Sequence, residues 1–287
     1  MNNIRARLMN DLQRIEAERY RLRKGEEVQD FICLMLEYIG DPQSELRDGL
    51  IYPTFYAWIL EQRLLSSDEL RAVLAVLLDE QHLFHGIGGQ GDETVFTRTF
   101  TVLVIGLIIQ RHREQPFLDA AGFRQLKAAL LRYYAEEKDL RGYVEEGGWA
   151  HSAAHGADAI DELVQCPESG EPVQLEVLEA VRGMLQNGVY LFREEEDERM
   201  ATIVDTMILR NLLGREHIAE WISSLAACGS QPRSNSQYIN RINSKNFVRA
   251  LYFRRDSEYF GKRLQEALLA AELKMNKFAA ETGDSVQ

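Results

Sequence analysis

Cysteine is scarce in this chain: Cys33, Cys166 and Cys228 are the only three in 287 residues, and their spacing does not recur. That argues against a disulfide framework and against a structural zinc cluster, and it fits a reduced, cytoplasmic protein. Proline is also rare, with six residues, and no stretch rich in Pro, Gly or Ser divides the chain. A single domain over 1–287 is therefore expected, with a polar tail from about Thr282. The longest apolar run, Val102 to Ile109, is too short to span a bilayer, so no membrane insertion is expected. The first residues carry Arg5, Arg7, Asp11, Arg14 and Glu16 and lack the apolar core of a signal peptide. Positive charge is in deficit: 33 Lys and Arg stand against 45 Asp and Glu, a formal charge of −12. Such a balance argues against general nucleic-acid binding, which needs concentrated positive potential. Gly-x-Ser-x-Gly and the P-loop are both absent.

What the chain has in abundance is helical periodicity. Apolar residues recur with a period of about 3.6 and no run alternates convincingly with period two. Helices are expected near 3–22, 27–39, 44–63, 67–82, 93–112, 118–136, 149–165, 172–189, 195–213, 215–226, 235–254 and 257–280. Ser66-Ser67-Asp68-Glu69 offers caps and acids ahead of Leu70, and Asp119 precedes the helix that runs to Tyr134. Glu194 to Asp197 load acid onto a helix start, where the dipole favours it over a metal-binding role. The fold class is all-α, an irregular stack of antiparallel helix pairs joined by short turns.

One stretch stands out chemically: Gly148-Trp149-Ala150-His151-Ser152-Ala153-Ala154-His155-Gly156-Ala157-Asp158-Ala159-Ile160-Asp161-Glu162-Leu163. On a helical wheel His151, His155, Asp158 and Glu162 fall in one stripe roughly 60° wide. Trp149, Ala153, Ala157, Ile160 and Val164 fall opposite and form a packing face. His at i and i+4 with Asp one turn on is a ligand set for Zn²⁺ or another divalent transition metal, with Glu162 as a fourth ligand or an orienting partner. The position after the first His, where a metalloprotease helix carries its general base, is Ser152; Glu145 or Glu146 would have to substitute. The same stripe could instead line a small-ligand groove or hydrogen-bond to a neighbouring helix or to Arg141.

Together with Val95-Phe96-Thr97-Arg98-Thr99-Phe100 and Asp139-Leu140-Arg141-Gly142-Tyr143-Val144, this stretch resembles the signature blocks of a bacterial family, domain of unknown function 2785. The resemblance runs roughly from the second helix to the penultimate one. It implies an all-helical protein of HEAT- or armadillo-like character and supplies no catalytic residue.

Other residues carry weaker expectations. Arg98 sits in the most apolar helix and calls for a buried carboxylate, with Asp139 or Asp158 as partners; alternatively Arg98 and Arg141 bind a substrate anion. Gly86-Ile87-Gly88-Gly89-Gln90-Gly91 spells G-x-G-x-x-G but follows a helix and precedes Asp92 and Glu93, so it reads as a turn, and no nucleotide cofactor is expected. His82 and His85, with Asp79, form a second histidine pair at a helix end. Between Arg233 and Arg263 eight basic residues stand against Asp256 and Glu258, interleaved with Tyr238, Phe247, Tyr252, Phe253, Tyr259 and Phe260. That segment is either a packed helix pair or a surface for an anionic partner. Two functions follow. The first is a metal-dependent hydrolase built on His151, His155 and Asp158, with Arg98 as an anion anchor. The second is a non-catalytic scaffold for a protein, peptide or small anion. Asp48, Tyr52 and Asp205 are the distant residues whose convergence on the stripe would favour catalysis.

Overall fold

The computed structural model describes residues 2–255 and 257–279; the polar tail expected from about Thr282 lies outside them. The chain, expected to be one domain, divides by its contacts into two compact units, Met1–Gly170 and Glu171–Gln287, and each is taken by itself. Both are mostly helical, as an all-α chain should be.

The first unit contains α1 (Asn2–Ala17), α2 (Val28–Glu37), α3 (Ser44–Leu46), α4 (Tyr52–Tyr56), α5 (Ser67–Leu77), α6 (Thr94–Glu114), α7 (Ala120–Glu136) and α8 (Ser152–Val164). Between α3 and α4 the helix widens into a π turn, Arg47–Ile51, and a second π turn, Ala57–Glu61, follows α4. Pro53 at the start of α4 has no N–H to offer the preceding turn, which favours such a departure from α geometry. Helix α5 starts where its cap residues indicate: Ser66 Oγ accepts from the Glu69 amide and the Glu69 carboxylate accepts from the Ser66 amide. Asp119 likewise accepts from the Gly122 amide to open α7.

Helix α6 is apolar on nearly every side and forms the centre of this unit, as an all-round hydrophobic helix must. By length and composition it could cross a membrane, but 78% of its apolar window is buried within the protein. Helix α8 lies close against it at Gly106, where a side chain would come within 3.5 Å of the Ala159 Cα. Two short antiparallel strands, β1 (Tyr143–Val144) and β2 (Gly148–Trp149), form a hairpin just before α8. The helix expected from residue 149 therefore begins only at Ser152, and Trp149 belongs to the hairpin rather than to a helical packing face.

The second unit comprises α9 (Glu171–Leu185), α10 (Glu196–Leu209), α11 (Arg215–Leu225), α12 (Asn235–Phe253), α13 (Ser257–Phe260) and α14 (Lys262–Met275), with a 3-10 turn over Ala226–Ser230. The single helix expected over 257–280 is broken at Gly261, whose φ of 71° suits glycine and stops a helix. The acidic run does serve the start of α10. Glu196 is buried and its carboxylate accepts from the amides of Arg193 and Glu194, while Glu198 pairs with Arg254. Within the basic, aromatic segment Phe247 and Phe260 are core residues, and Arg249, Arg254, Arg255 and Arg263 pair with Glu272, Glu198, Asp205 and Glu220.

Candidate functional site

The chemistry-bearing residues of the first unit gather around the hairpin and α8, and the way the hairpin is anchored decides their positions. Arg47 has no exposed surface. It donates from Nη2 to the Gly147 carbonyl at 2.5 Å and from Nη1 to the carbonyls of Asp41 and Pro42. Its guanidinium lies 4.0 Å from the ring centre of Phe96 and 4.7 Å from that of Phe100. Burial lowers its pKa to about 10, only partly opposed by Asp48 and Asp41. Gly147 sits so close to Phe96 that an added Cβ would meet the ring at 2.3 Å, so the hairpin turn requires glycine there. Val144 and Ala150 close the same small core with Val95 and Phe96.

Anchored in this way, the hairpin presents a row of rings. Tyr143 meets Trp149 edge-on at 5.2 Å, Trp149 stacks on His151 at 4.7 Å, His151 meets His155 at 5.5 Å, and His155 meets Phe100 at 5.6 Å. His151 precedes α8 in the left-handed region, with φ 52°, and its carbonyl still accepts from the His155 amide. The first residue of the predicted stripe is thus outside the helix that was meant to carry it.

Asp158 and Glu162 line a groove of about 190 Å³ with Tyr52, Tyr56, Leu103, Gly106, Leu107, Gln110 and Ala159. Neither histidine lines it. Arg113 pairs with Glu162 at 3.1 Å, so a cation holds Glu162 in place. Among the described residues no group of three or more His, Cys, Asp or Glu is placed to hold a metal ion. Of the distant residues weighed for convergence, Tyr52 does reach this groove. Asp48 does not line it, and burial pushes its carboxyl up. Asp205 belongs to the second unit and pairs with Arg255.

Both arginines read as anion binders are engaged by carboxylates. Arg98, fully buried, donates from Nε and Nη2 to the two carboxylate oxygens of Glu137 at 2.6 and 2.9 Å, and from Nη1 to the His85 carbonyl and Thr94 Oγ1. Its partner is Glu137, not Asp139 or Asp158. Burial pulls the Arg98 pKa down, but the Glu137 hydrogen bonds and charge outweigh it and the net shift is upward. Arg141 makes a two-pronged contact with Asp139 and donates to the Asp92 carbonyl. Asp139 also accepts from the Gly91 amide, which ties the glycine-rich turn to the segment ahead of the hairpin. Further along, Ser152 Oγ donates to the Asp139 carbonyl at the start of α8. His82 is paired with Asp79 at 2.8 Å, and with His85, Cys33, Glu37 and Asp41 it lines a wider cleft of about 810 Å³.

Arg47, Glu137, Tyr56 and Gln110 are the residues of this region that the sequence did not single out. Only Tyr56 had a local signal, its i+4 spacing from Tyr52.

The fold and site define a mostly helical protein of two units whose first unit carries a hairpin-anchored aromatic row beside a carboxylate- and tyrosine-lined groove. The family model described as "Protein of unknown function (DUF2785)" matches residues 83–253, more than half of the chain, and the chain belongs to that family. The match starts in the turn after α5, so it takes in the hairpin and α8 but not the π-turn segment that supplies Arg47, Tyr52 and Tyr56. No curated protein and no solved structure matches the chain.

Proposed function

We propose that the first unit is a binding module whose groove between α4, α6 and α8 takes the cationic head of a small molecule or peptide side chain. One observation carries this reading: Asp158 and Glu162, one helical turn apart, line the same groove as Tyr52 and Tyr56. Carboxylates beside aromatic faces favour ammonium and guanidinium groups through charge-assisted hydrogen bonds and cation–π attraction. A volume of about 190 Å³ suits such a head group and not a large ligand. The sequence alone allowed a small anionic ligand; the lining of this groove speaks for the opposite sign. HEAT- or armadillo-like stacking of pairs such as α6 with α8 would serve as the scaffold.

The metal-hydrolase reading keeps one observation in its favour, the adjacency of the His151 and His155 rings at 5.5 Å. Against it, Asp158 and Glu162 line a groove that neither histidine lines. A single set of measurements separates the two. Agmatine, which carries both a guanidinium and an ammonium, is titrated calorimetrically into the full chain and into Asp158→Asn and Tyr56→Leu variants. The expected result is saturable binding weakened about tenfold in each variant. Absence of binding overturns the proposal. Stoichiometric zinc, iron or manganese in the purified protein that disappears in both His151→Ala and His155→Ala would replace it with the metal reading.

A further inference from the structure

We propose that the N-terminal end of α12 in the second unit is a binding site for a small organic phosphate monoester. A cavity of about 400 Å³ there is lined by Arg233, Ser234, Gln237, Tyr238, Arg241 and Lys277. Three of the six are cations and none is a carboxylate. Among the described residues, neither Arg233, Arg241 nor Lys277 makes an ion pair, in a chain with 12 more acids than bases. The neighbouring cations of the same segment show the contrast: Arg249, Arg254, Arg255 and Arg263 each hold a carboxylate.

Arg241 makes the argument specific. It is 6% exposed, it donates from Nη1 to the Met275 carbonyl at 2.7 Å, and its buried Nε has no acceptor. A buried guanidinium without a counter-ion is costly, and an anion in the cavity that Arg241 lines would supply the missing charge. The helix adds to the same field. Helix α12 is 19 residues long, and its first turn opens at Ser234, whose Oγ caps the Gln237 amide at 3.0 Å. Gln237 is fixed in turn by donating from Nε2 to the Cys228 carbonyl at 2.9 Å, so the floor of the site is held by the 3-10 turn.

Size and shape select the class of anion. The cavity is larger than inorganic phosphate requires, and the exposed Tyr238 ring, 5.6 Å from the Arg241 guanidinium, offers a face for an organic body attached to the phosphate. A nucleic-acid strand needs a continuous track of cations, whereas Arg249, Arg254 and Arg255 beyond this cavity are consumed by ion pairs. The site is independent of the first unit's groove.

The test is titration of the full chain with phenyl phosphate and with inorganic phosphate, followed by calorimetry and ³¹P NMR. Phenyl phosphate should bind saturably and several times more tightly than inorganic phosphate. The Arg233→Ala/Lys277→Ala double variant, which changes two exposed side chains, should weaken both ligands by about tenfold or more. Tyr238→Ala should erase the preference for phenyl phosphate. Arg263→Ala, which breaks an ion pair elsewhere in the unit, should change neither. Absence of saturable binding, or binding that the double variant leaves intact, overturns the proposal, and neither outcome depends on whether an Arg241→Met variant folds.

Discussion

Arg98 and Arg47 lie in the same unit with no exposed surface, yet their surroundings are opposite in kind. Arg98 faces the carboxylate of Glu137 through two hydrogen bonds, and its pKa is raised. Arg47 has three backbone carbonyls and two phenylalanine rings in place of a carboxylate, and its pKa is lowered to about 10. Burial pulls both down, so the difference comes from the partner. Both remain protonated at neutral pH, but the first is a closed ion pair and the second is a cation hydrogen-bonded to carbonyls, with the charges of Asp48 and Asp41 offsetting its burial only in part. One consequence concerns mutation: an ion pair leaves an orphan when it is cut, and a carbonyl-held cation leaves no opposite charge behind.

The largest effect should therefore come from cutting the Arg98–Glu137 pair on one side. Glu137→Ala strands a buried guanidinium, and such cuts cost about 3–5 kcal/mol. Urea denaturation should show the loss as a lowered midpoint with an unchanged slope. The double variant Arg98→Met/Glu137→Met removes both charges and should recover most of it. If it does not, the pair contributes more than mutual neutralisation, and the contacts of Arg98 with the His85 carbonyl and Thr94 become the next suspects.

Arg47→Met should cost less, about 1–3 kcal/mol, because the carbonyls of Asp41, Pro42 and Gly147 lose a donor while a costly buried charge disappears. Its second effect is local. The Gly147 contact ties the hairpin down, so the exposed Trp149 should report a change in fluorescence before global unfolding. A loss as large as that of Glu137→Ala would erase the contrast between the two arginines.

How far this was readable beforehand depends on the range of each interaction. Helix period is local, and the helices from α5 to α12 fall close to where it places them, with ends moved by a few residues. The hairpin was not legible, because two-residue strands have no period to detect. Missing it displaced the start of α8 and put Trp149 on the wrong side. That Arg98 needs a buried acid followed from its apolar helix; that the acid is Glu137 did not, since 39 residues separate them and only the packing of the unit brings them together. The histidine–carboxylate stripe assumed one helix from residue 149, whereas His151 precedes α8, and spacing cannot show that Asp158 and Glu162 share a groove with Tyr52 and Tyr56.

His112 extends the comparison to a base that titrates in an accessible range. It has no exposed surface; its Nδ1 accepts from the amides of Phe117 and Leu118 at 3.0 and 3.2 Å, and its Nε2 lies 3.3 Å from the partly exposed Glu168. Burial lowers its pKa, and Glu168 raises it only in part. The unfolded chain therefore binds a proton below about pH 6.5 that the folded chain resists, so the stabilisation is complete above that pH and is lost as pH falls toward the lower folded value. Stability measured by urea at a series of pH values should decline in that window, and His112→Gln should flatten the decline. Glu168→Gln should steepen it, because the one group that favours the imidazolium is gone. A profile that Glu168→Gln leaves unchanged would mean that a partly exposed acid does not act on a buried base here as Glu137 acts on Arg98.

The smallest effect sets the baseline for the rest. Arg63 and Glu114 form an ion pair at 2.6 Å, as short as the Nε contact of Arg98, but with side chains 53% and 37% exposed. Water already solvates both charges, so their pairing replaces hydration rather than making up for its loss, and exposed pairs contribute about 0–1 kcal/mol. Arg63→Ala should shift the urea midpoint barely beyond error, and added salt should remove the shift altogether. Since the distance is the same in the two pairs, the gap between this variant and Glu137→Ala isolates burial as the cause. A large loss on Arg63→Ala would instead make distance the controlling variable, and the contrast between Arg98 and Arg47 would then have to be explained by geometry.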